Sequence, residues 1–155
     1  MSRYASQTAV SVDRSKTEIE RTLDKYGATG FIYGTINNTS TIMFEMNRKR
    51  IRFNLPLPDK YESMRSPKGR ERKLASAQKH HEQNMRQRWR ALSLCIKAKL
   101  EAVESKITTF EEEFFSHIIL PNGKTVGQNL LPHIETMYES GNVPQLSLMA
   151  GDDHG

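Results

Sequence analysis

Between residues 28 and 58 the sequence alternates apolar with small or polar side chains, the two-residue period of a β-strand that buries one face. Three runs share this pattern, with apolar residues at Phe31 and Tyr33, at Ile42, Phe44 and Met46, and at Ile51, Phe53 and Leu55. Asn37-Asn38 and Asn47-Arg48 separate the runs, and both pairs tolerate tight hairpin turns. The segment therefore predicts a three-stranded antiparallel meander, one face of which is covered by helices.

A short amphipathic helix is predicted before the meander, at about residues 14 to 26. Its apolar face is formed by Ile19, Leu23 and Tyr26. Ser15 and Glu18 have the spacing of a capping box, in which a serine side chain caps the first turn. Gly27 suits the left-handed conformation that ends many helices. The sequence thus predicts a helix that begins near Ser15 and ends before Gly27.

A long helix is predicted after the meander, at about residues 74 to 104. Its apolar stripe steps by three or four residues through Met85, Trp89, Leu92, Ile96, Leu100 and Val103. Trp89 is expected in the core, with stacking on a nucleic-acid base as the alternative. The opposite face predicts a second packed layer or a homodimer contact, through Ala91, Leu94, Cys95, Ala98 and Ala102. Cys95 is the only cysteine, which excludes an internal disulfide, and we expect its side chain to be buried.

The last third of the chain is acidic and predicts short helices. Thr108 or Thr109 caps the first of them, "FEEEFFSH". A turn at Asn122-Gly123 follows. Thr125 and Gln128 then form a second capping box, which begins a helix that ends at Gly141. The whole chain predicts a single α+β domain over residues 1 to 155, with a mobile basic loop at about 59 to 75. Disordered tails are expected at about 1 to 10 and 148 to 155.

The positive charge of the chain is concentrated in its middle. Residues 48 to 99 hold sixteen of the 23 Lys and Arg residues and four of the 18 Asp and Glu residues, a net charge of +12. The rest of the chain holds seven basic and fourteen acidic residues, a net charge of −7. Such a field attracts polyanions, although a solvated basic surface is the simpler interpretation.

Two parts of this basic stretch are predicted to contact phosphates. On the third strand, Arg50 and Arg52 point away from the core, where they either bind phosphates or protect the edge of the sheet. The loop at 59 to 75 holds basic side chains that can become ordered on a nucleic-acid backbone. The predicted nucleic-acid-binding residues are Arg48, Lys49, Arg50, Arg52, Arg65, Lys68, Arg70, Arg72, Lys73, Arg86 and Arg90.

The sequence contains no catalytic motif that we recognise. Its glycines form neither GxGxxG nor GxxxxGK[ST], and no Ser, His and Asp series lies in a known frame. Glu113 and His117 are four residues apart, as metal ligands on a helix can be, and His133 with Glu135 could lie nearby in space. That pattern is too common to predict a metal site. The expectation is a protein that is not an enzyme and has no cofactor.

Three stretches of the sequence carry a resemblance to a known family: "DKYGATGFIYG", "RQRWRALSLCIKAKLEAVES" and "FEEEFFSHIILPNGKTVGQNLLPHIETMYESG". Together they resemble small proteins encoded in phage and prophage genomes, a family without an assigned activity. The resemblance covers about residues 12 to 146. It implies a bacterial host cytoplasm and a role in the phage programme, and it carries no functional residues over to this chain.

The sequence leaves three functions open. The first is a non-enzymatic protein that binds DNA or RNA with weak sequence selectivity in phage DNA metabolism. The second is an interaction protein that inhibits a host defence or replication component. The third is an oligomer that sequesters an anionic nucleotide. No run of eighteen apolar residues and no secretory signal is found, so we expect a cytoplasmic protein without a membrane partner.

Overall fold

The computed structural model describes residues 5–61 and 64–144. In chain order the regular elements are α1 (Val12–Lys25), β1 (Thr29–Ile36), β2 (Thr39–Met46), β3 (Lys49–Pro56), α2 (Leu74–Glu104), α3 (Phe110–Phe114) and α4 (Val126–Ser140). A single 3-10 turn, Phe115–His117, follows α3. This order confirms the predicted α+β fold. None of the helices in the described ranges has the length and apolar character needed to cross a membrane.

The sheet is the predicted antiparallel meander, with strand order β1-β2-β3. Both turns have two residues with positive φ: 48° and 60° at Asn37 and Asn38, and 50° and 59° at Asn47 and Arg48. These left-handed pairs match the twist of the strands that they join. The register places Phe44 of β2 opposite Ile51 of β3 on the face that the helices cover.

One edge of the sheet is paired by a later part of the chain. The N–H of Ile119 donates to the carbonyl of Arg50 at 2.9 Å, and Ile118 forms an antiparallel bridge with Ile51 of β3. The predicted turn at Asn122-Gly123 then reverses the chain, with Gly123 at φ +81°. Because the chain reverses here, the start of α4 lies beside β3. The sequence did not predict the pairing.

Helix α1 begins earlier than predicted. Its N-cap is Ser11, whose hydroxyl accepts from the N–H of Arg14 at 3.1 Å. Ser15, the predicted cap, lies one turn inside the helix and is completely buried. The capping box at Ser15 and Glu18 was therefore wrong, because the Ser11 hydroxyl already serves the first turn. The end of the helix was correct, with Gly27 at φ +86° immediately after the cap.

The core lies between the sheet and the α1–α2 layer. Trp89 is 2% exposed, which confirms its predicted core position, and its ring meets that of Tyr33 edge-on at a centroid distance of 6.2 Å. Buried residues of the same α2 stripe are Leu92, Ile96 and Leu100. Cys95 is exposed, so its predicted burial was wrong. On the helix it lies beside this stripe, with its side chain in solvent.

The predicted cap at Thr109 and the predicted capping box at Thr125 and Gln128 are both present, and Thr109 also forms a box with Glu112. The Thr109 hydroxyl accepts from the N–H of Glu112, and the Thr125 hydroxyl accepts from that of Gln128, each at 3.2 Å. Helix α4 continues through Pro132 and ends at Gly141, which is left-handed at φ 69°. These caps explain why the short, acidic segments are helical at the predicted positions.

The predicted tails lie mostly outside the described residues. Residues 1–4 and 148–155 are outside them, so their predicted disorder stays a prediction. Residues 5–10, the rest of the first tail, are described, and two of them contact α2. The side-chain amide of Gln83 donates to the carbonyls of Ser6 at 3.2 Å and Thr8 at 3.0 Å.

Candidate nucleic-acid interface

The predicted basic loop contains a small hairpin between β3 and α2. The N–H of Ser66 donates to the carbonyl of Arg70 at 2.8 Å, and that of Arg72 donates to the carbonyl of Met64 at 2.7 Å. Gly69, at φ +73°, supplies the left-handed residue of the turn. We call residues 64–73 the basic hairpin. The backbone bonds give these residues a defined arrangement, and their mobility in solution stays a prediction.

The basic hairpin presents its positive side chains to solvent. It holds one acidic residue, Glu71, against five basic residues: Arg65, Lys68, Arg70, Arg72 and Lys73. All of these basic residues except the half-buried Arg72 are exposed. Within the described part of the chain, none of the four exposed cations forms an ion pair. Their charge is therefore available to an external anion, and it is not consumed by contacts that hold the fold together.

The basic residues at the other end of β3 are mostly engaged within the protein. Lys49 forms an ion pair with Glu111 of α3 at 3.0 Å. This hydrogen bond is the main reason that the pKa of Glu111 is lowered. Arg50 forms an exposed ion pair with Glu45, its neighbour on β2, at 3.3 Å. Arg48 lies in the exposed turn, with no ion pair among the described residues.

Arg52 points to the outer face of the sheet, as predicted, but contacts the start of α4. Its guanidinium donates to the carbonyl of Gly123 at 3.0 Å and to the side-chain oxygen of Gln128 at 2.8 Å. That oxygen also accepts from the N–H of Thr125, so Arg52 binds the residue that completes the capping box of α4. Its Nε is buried without a partner among the described residues. Arg52 thus fastens the C-terminal helix to the sheet.

The two predicted arginines of α2 also have partners inside the protein. Arg86 donates to the side-chain oxygen of Gln83, from Nε at 3.1 Å and from Nη2 at 2.5 Å. Arg90 forms a half-buried ion pair with Glu18 of α1. The Arg90 contact joins α2 to α1, whereas the Arg86 contact lies within α2. An approaching phosphate would have to compete with both.

The predicted binding residues therefore form separate groups. Lys49 begins β3 and Pro56 ends it, seven steps of roughly 3.3 Å, so the β2–β3 turn and the strand end that leads to the basic hairpin are about 23 Å apart. The structure brings Arg65, Lys68, Arg70 and Lys73 together in the hairpin and leaves Arg48 at the far end. Lys60 and Lys79 are exposed cations that flank the hairpin in sequence, and the prediction omitted both. Both lie within the basic stretch at residues 48 to 99, and this position could have identified them as candidates.

The weak metal candidates have other contacts. Glu113 forms an ion pair with Lys99 at 3.1 Å, and the His117 ring stacks on Phe53 at a centroid distance of 4.0 Å. His133 is exposed on α4. Among residues 5–61 and 64–144, no group of three or more His, Cys, Asp or Glu side chains is close enough to hold a metal ion.

A shallow depression lies beside the β2–β3 turn. It has a volume of about 510 Å³ and is lined by Arg48, Lys49 and Arg50 on one side and by Ile118–Pro121 on the other. Since two of its three cations already pair with glutamates, only Arg48 offers charge to a small anion. The geometry gives less support to a nucleotide pocket here than to a polyanion site on the basic hairpin.

Comparison of the chain with protein-family models, with curated proteins and with solved structures finds no match in any of the three. The function proposed below is therefore inferred from the residues and geometry of this chain.

Proposed function

We propose that the protein is a non-enzymatic nucleic-acid-binding protein that holds the phosphate backbone with the basic hairpin. The observation that carries this proposal is the set of four exposed cations in the basic hairpin, without ion-pair partners in the described chain: Arg65, Lys68, Arg70 and Lys73. Arginine and lysine side chains bind phosphate oxygens through charge-assisted hydrogen bonds.

Weak sequence selectivity is part of the proposal. Phosphate contacts position a protein on nucleic acid, whereas contacts to base edges specify the sequence. The basic hairpin has no aromatic residue, and Trp89 is buried under the sheet, so neither offers a platform for base stacking. Release of counterions from the backbone would then supply most of the affinity.

A role in phage DNA metabolism and a location in the host cytoplasm are further parts of the proposal. They rest on the resemblance of the sequence to small phage and prophage proteins. A protein that coats or accompanies DNA without reading its sequence would suit replication or recombination, in which the sequence of the substrate varies.

A protein-interaction function is the second candidate, and one observation favours it. Helix α4 exposes Leu131 and Tyr138, which are 59% and 87% exposed and lie seven residues apart on one helical face. Exposed apolar groups on one face are typical of a docking surface. Inhibition of a host defence or replication protein would use this face, and the basic hairpin would then have no role in that contact.

Binding to labelled oligonucleotides tests the proposed function. Fluorescence anisotropy with single- and double-stranded probes of mixed sequence should show binding at about 50 mM salt that falls steeply by about 200 mM. With four phosphate contacts, the slope of log K against log salt should be about −3. Several unrelated sequences should bind within about threefold of one another. Undetectable binding at low salt, or binding insensitive to salt, would exclude the proposal.

A further inference from the structure

Strand β1 leaves one edge of the sheet open. Within the described residues, none of its backbone N–H or C=O groups bonds to anything other than β2. Natural edge strands usually carry charged residues or proline, which prevent another strand from pairing. The sequence of β1, "TGFIYGTI", contains neither. A bulge between Thr29 and Ile32 disturbs only the first part of the strand. The remainder is an unprotected edge.

The hairpin turn determines which peptide groups face this open edge. Ile36 and Thr39 flank the two-residue turn and therefore form a hydrogen-bonded pair of the antiparallel ladder. Hydrogen bonding alternates along the strand, so Gly34 and Ile32 also bond to β2. The N–H and C=O groups of Tyr33 and Thr35 consequently point away from β2, toward solvent.

Two isoleucines lie on the outer face of this strand, away from the helices. Ile32 is 59% exposed and Ile36 is 75% exposed, with Gly34 midway between them on the same face. Gly34 has no atom within 4 Å of the position that a Cβ would occupy. Ile32 and Ile36 are thus each two residues from Gly34. The outward peptide groups, those of Tyr33 and Thr35, are each one residue from it.

We propose that two copies of the chain associate by antiparallel pairing of their β1 strands about a twofold axis at Gly34. In this register Tyr33 forms hydrogen bonds with Thr35 of the partner subunit. Ile32 lies opposite Ile36 of the partner subunit, at the closely spaced positions where side chains interact most. Each exposed isoleucine thereby gains an apolar neighbour, and the two glycines meet at the axis. The product is one six-stranded antiparallel sheet.

This register is favoured over its neighbours by the pattern of side chains. A shift of two residues toward the start of β1 moves the pairing into the bulge, and a shift toward the turn pairs Ile36 with Gly34 of the partner subunit. Apolar pattern is what sets strand register. The interface also brings no like charges together, because β1 and the turn Asn37-Asn38 are uncharged. The β1 strand of a second copy therefore matches this open edge in both apolar pattern and charge.

The size of the contact predicts a reversible dimer. Stable complexes bury roughly 1,200 to 2,000 Å² in total, and one short strand pair buries less than that. We therefore expect association that depends on protein concentration. The inference does not rest on nucleic-acid binding, so each can fail without the other.

Disulfide trapping tests the register directly. Gly34→Cys should be made in a Cys95→Ser background, since Cys95 is the only native thiol. At the axis the two Cα atoms would be about 4.5 Å apart, within the range of roughly 4.4 to 6.8 Å that a disulfide spans. We expect rapid formation of a covalent dimer under mild oxidation. Ile36→Cys in the same background is the matched control, because the two copies of residue 36 would be about 13 Å apart. If Gly34→Cys stays monomeric, or if both variants cross-link equally fast, the proposal is wrong.

Charge at the axis provides a second test. The backbone of Gly34 is outside the left-handed region, so Gly34→Lys should fold, as circular dichroism of the dilute protein can verify. Two lysines facing each other should weaken association at least tenfold in sedimentation equilibrium, so that the mass stays near 17.8 kDa. Thr41→Lys, on the same face one strand inward, should leave association unchanged. Association that survives Gly34→Lys but is lost in Leu94→Lys would place the contact on α2 and overturn the proposal.

Discussion

Arg52 of β3 donates a 2.8 Å hydrogen bond to Gln128, the residue that completes the capping box of α4. An arginine that the sequence suggested as a phosphate ligand thus connects the sheet to the C-terminal helix. Arg52→Gln removes two charge-assisted bonds, and we expect a loss of roughly 1 to 3 kcal/mol in the free energy of unfolding. Urea denaturation measures this loss. Arg50→Gln, which removes one exposed ion pair, is the control and should change stability by less than about 1 kcal/mol.

The same pair of variants tests where polyanions bind. If the basic hairpin is the site, Arg52→Gln should leave oligonucleotide affinity within about twofold of wild type after correction for the folded fraction. A large loss of affinity in a fully folded Arg52→Gln protein would show that polyanions bind on the outer face of the sheet.

Trp89 serves as an internal probe, because it is the only tryptophan in the chain. Since it is 2% exposed, its emission should be blue-shifted relative to free tryptophan and resistant to quenching by acrylamide. Addition of saturating oligonucleotide should leave the emission nearly unchanged. Strong quenching by oligonucleotide would instead support base stacking on Trp89, the alternative that the sequence left open.

Cys95 distinguishes between two ways of forming a dimer. Its exposed thiol should react with a water-soluble disulfide reagent in the native state. If association uses β1, the reaction rate should be the same at about 1 µM and about 100 µM protein, although the dimer fraction changes. Protection of the thiol as concentration rises would favour the contact predicted on α2, where the neighbours of Cys95 are Ala91, Leu94, Ala98 and Ala102.

His117 should make the fold sensitive to mild acid. Burial lowers its pKa from the ordinary value of 6.5, and the nearby charge of Lys99 lowers it further, against a hydrogen bond to the backbone of Arg52. As the pH falls below about 6.5, the unfolded chain takes up a proton at this position before the folded chain does. Stability should therefore decrease between about pH 7.5 and about pH 5.5.

The variant His117→Phe tests that origin, because a phenyl ring preserves the aromatic contact with Phe53. Its stability should change less over the same pH range, as measured by urea midpoints. An identical pH dependence in wild type and His117→Phe would show that His117 is not responsible.

Much of the fold could be predicted because it depends on local sequence patterns. The turns at Asn37-Asn38 and Asn47-Arg48 need residues that tolerate positive φ, and the apolar stripe through Trp89 needs only helical spacing. Helix caps such as Thr125 are equally local, because their bonds span three residues. The error at Ser15 had a local cause as well, since two serines four residues apart could each cap α1 and only Ser11 does.

The site was harder to predict because the availability of a charge depends on distant residues. Nothing near Arg90 in sequence indicates Glu18, and nothing near Lys49 indicates Glu111. The bond from Arg52 to Gln128 likewise exists only because the chain after α3 returns to pair with β3. The sequence identifies the basic stretch. Only the three-dimensional arrangement distinguishes the cations that bind partners within the protein from those that are available to a ligand.

Neutralisation of the basic hairpin tests the central claim most directly. The variant Arg65→Gln, Lys68→Gln, Arg70→Gln, Lys73→Gln should be compared with a control that removes four other exposed cations: Arg21→Gln, Lys97→Gln, Lys106→Gln, Lys124→Gln. Both variants lose the same charge, so a general effect of net charge cancels. The hairpin variant should lose most of its oligonucleotide affinity at about 50 mM salt, and its salt slope should fall by about 3, while the control stays close to wild type. Equal losses in the two variants, or a hairpin variant that binds like wild type, would contradict the assignment of the site.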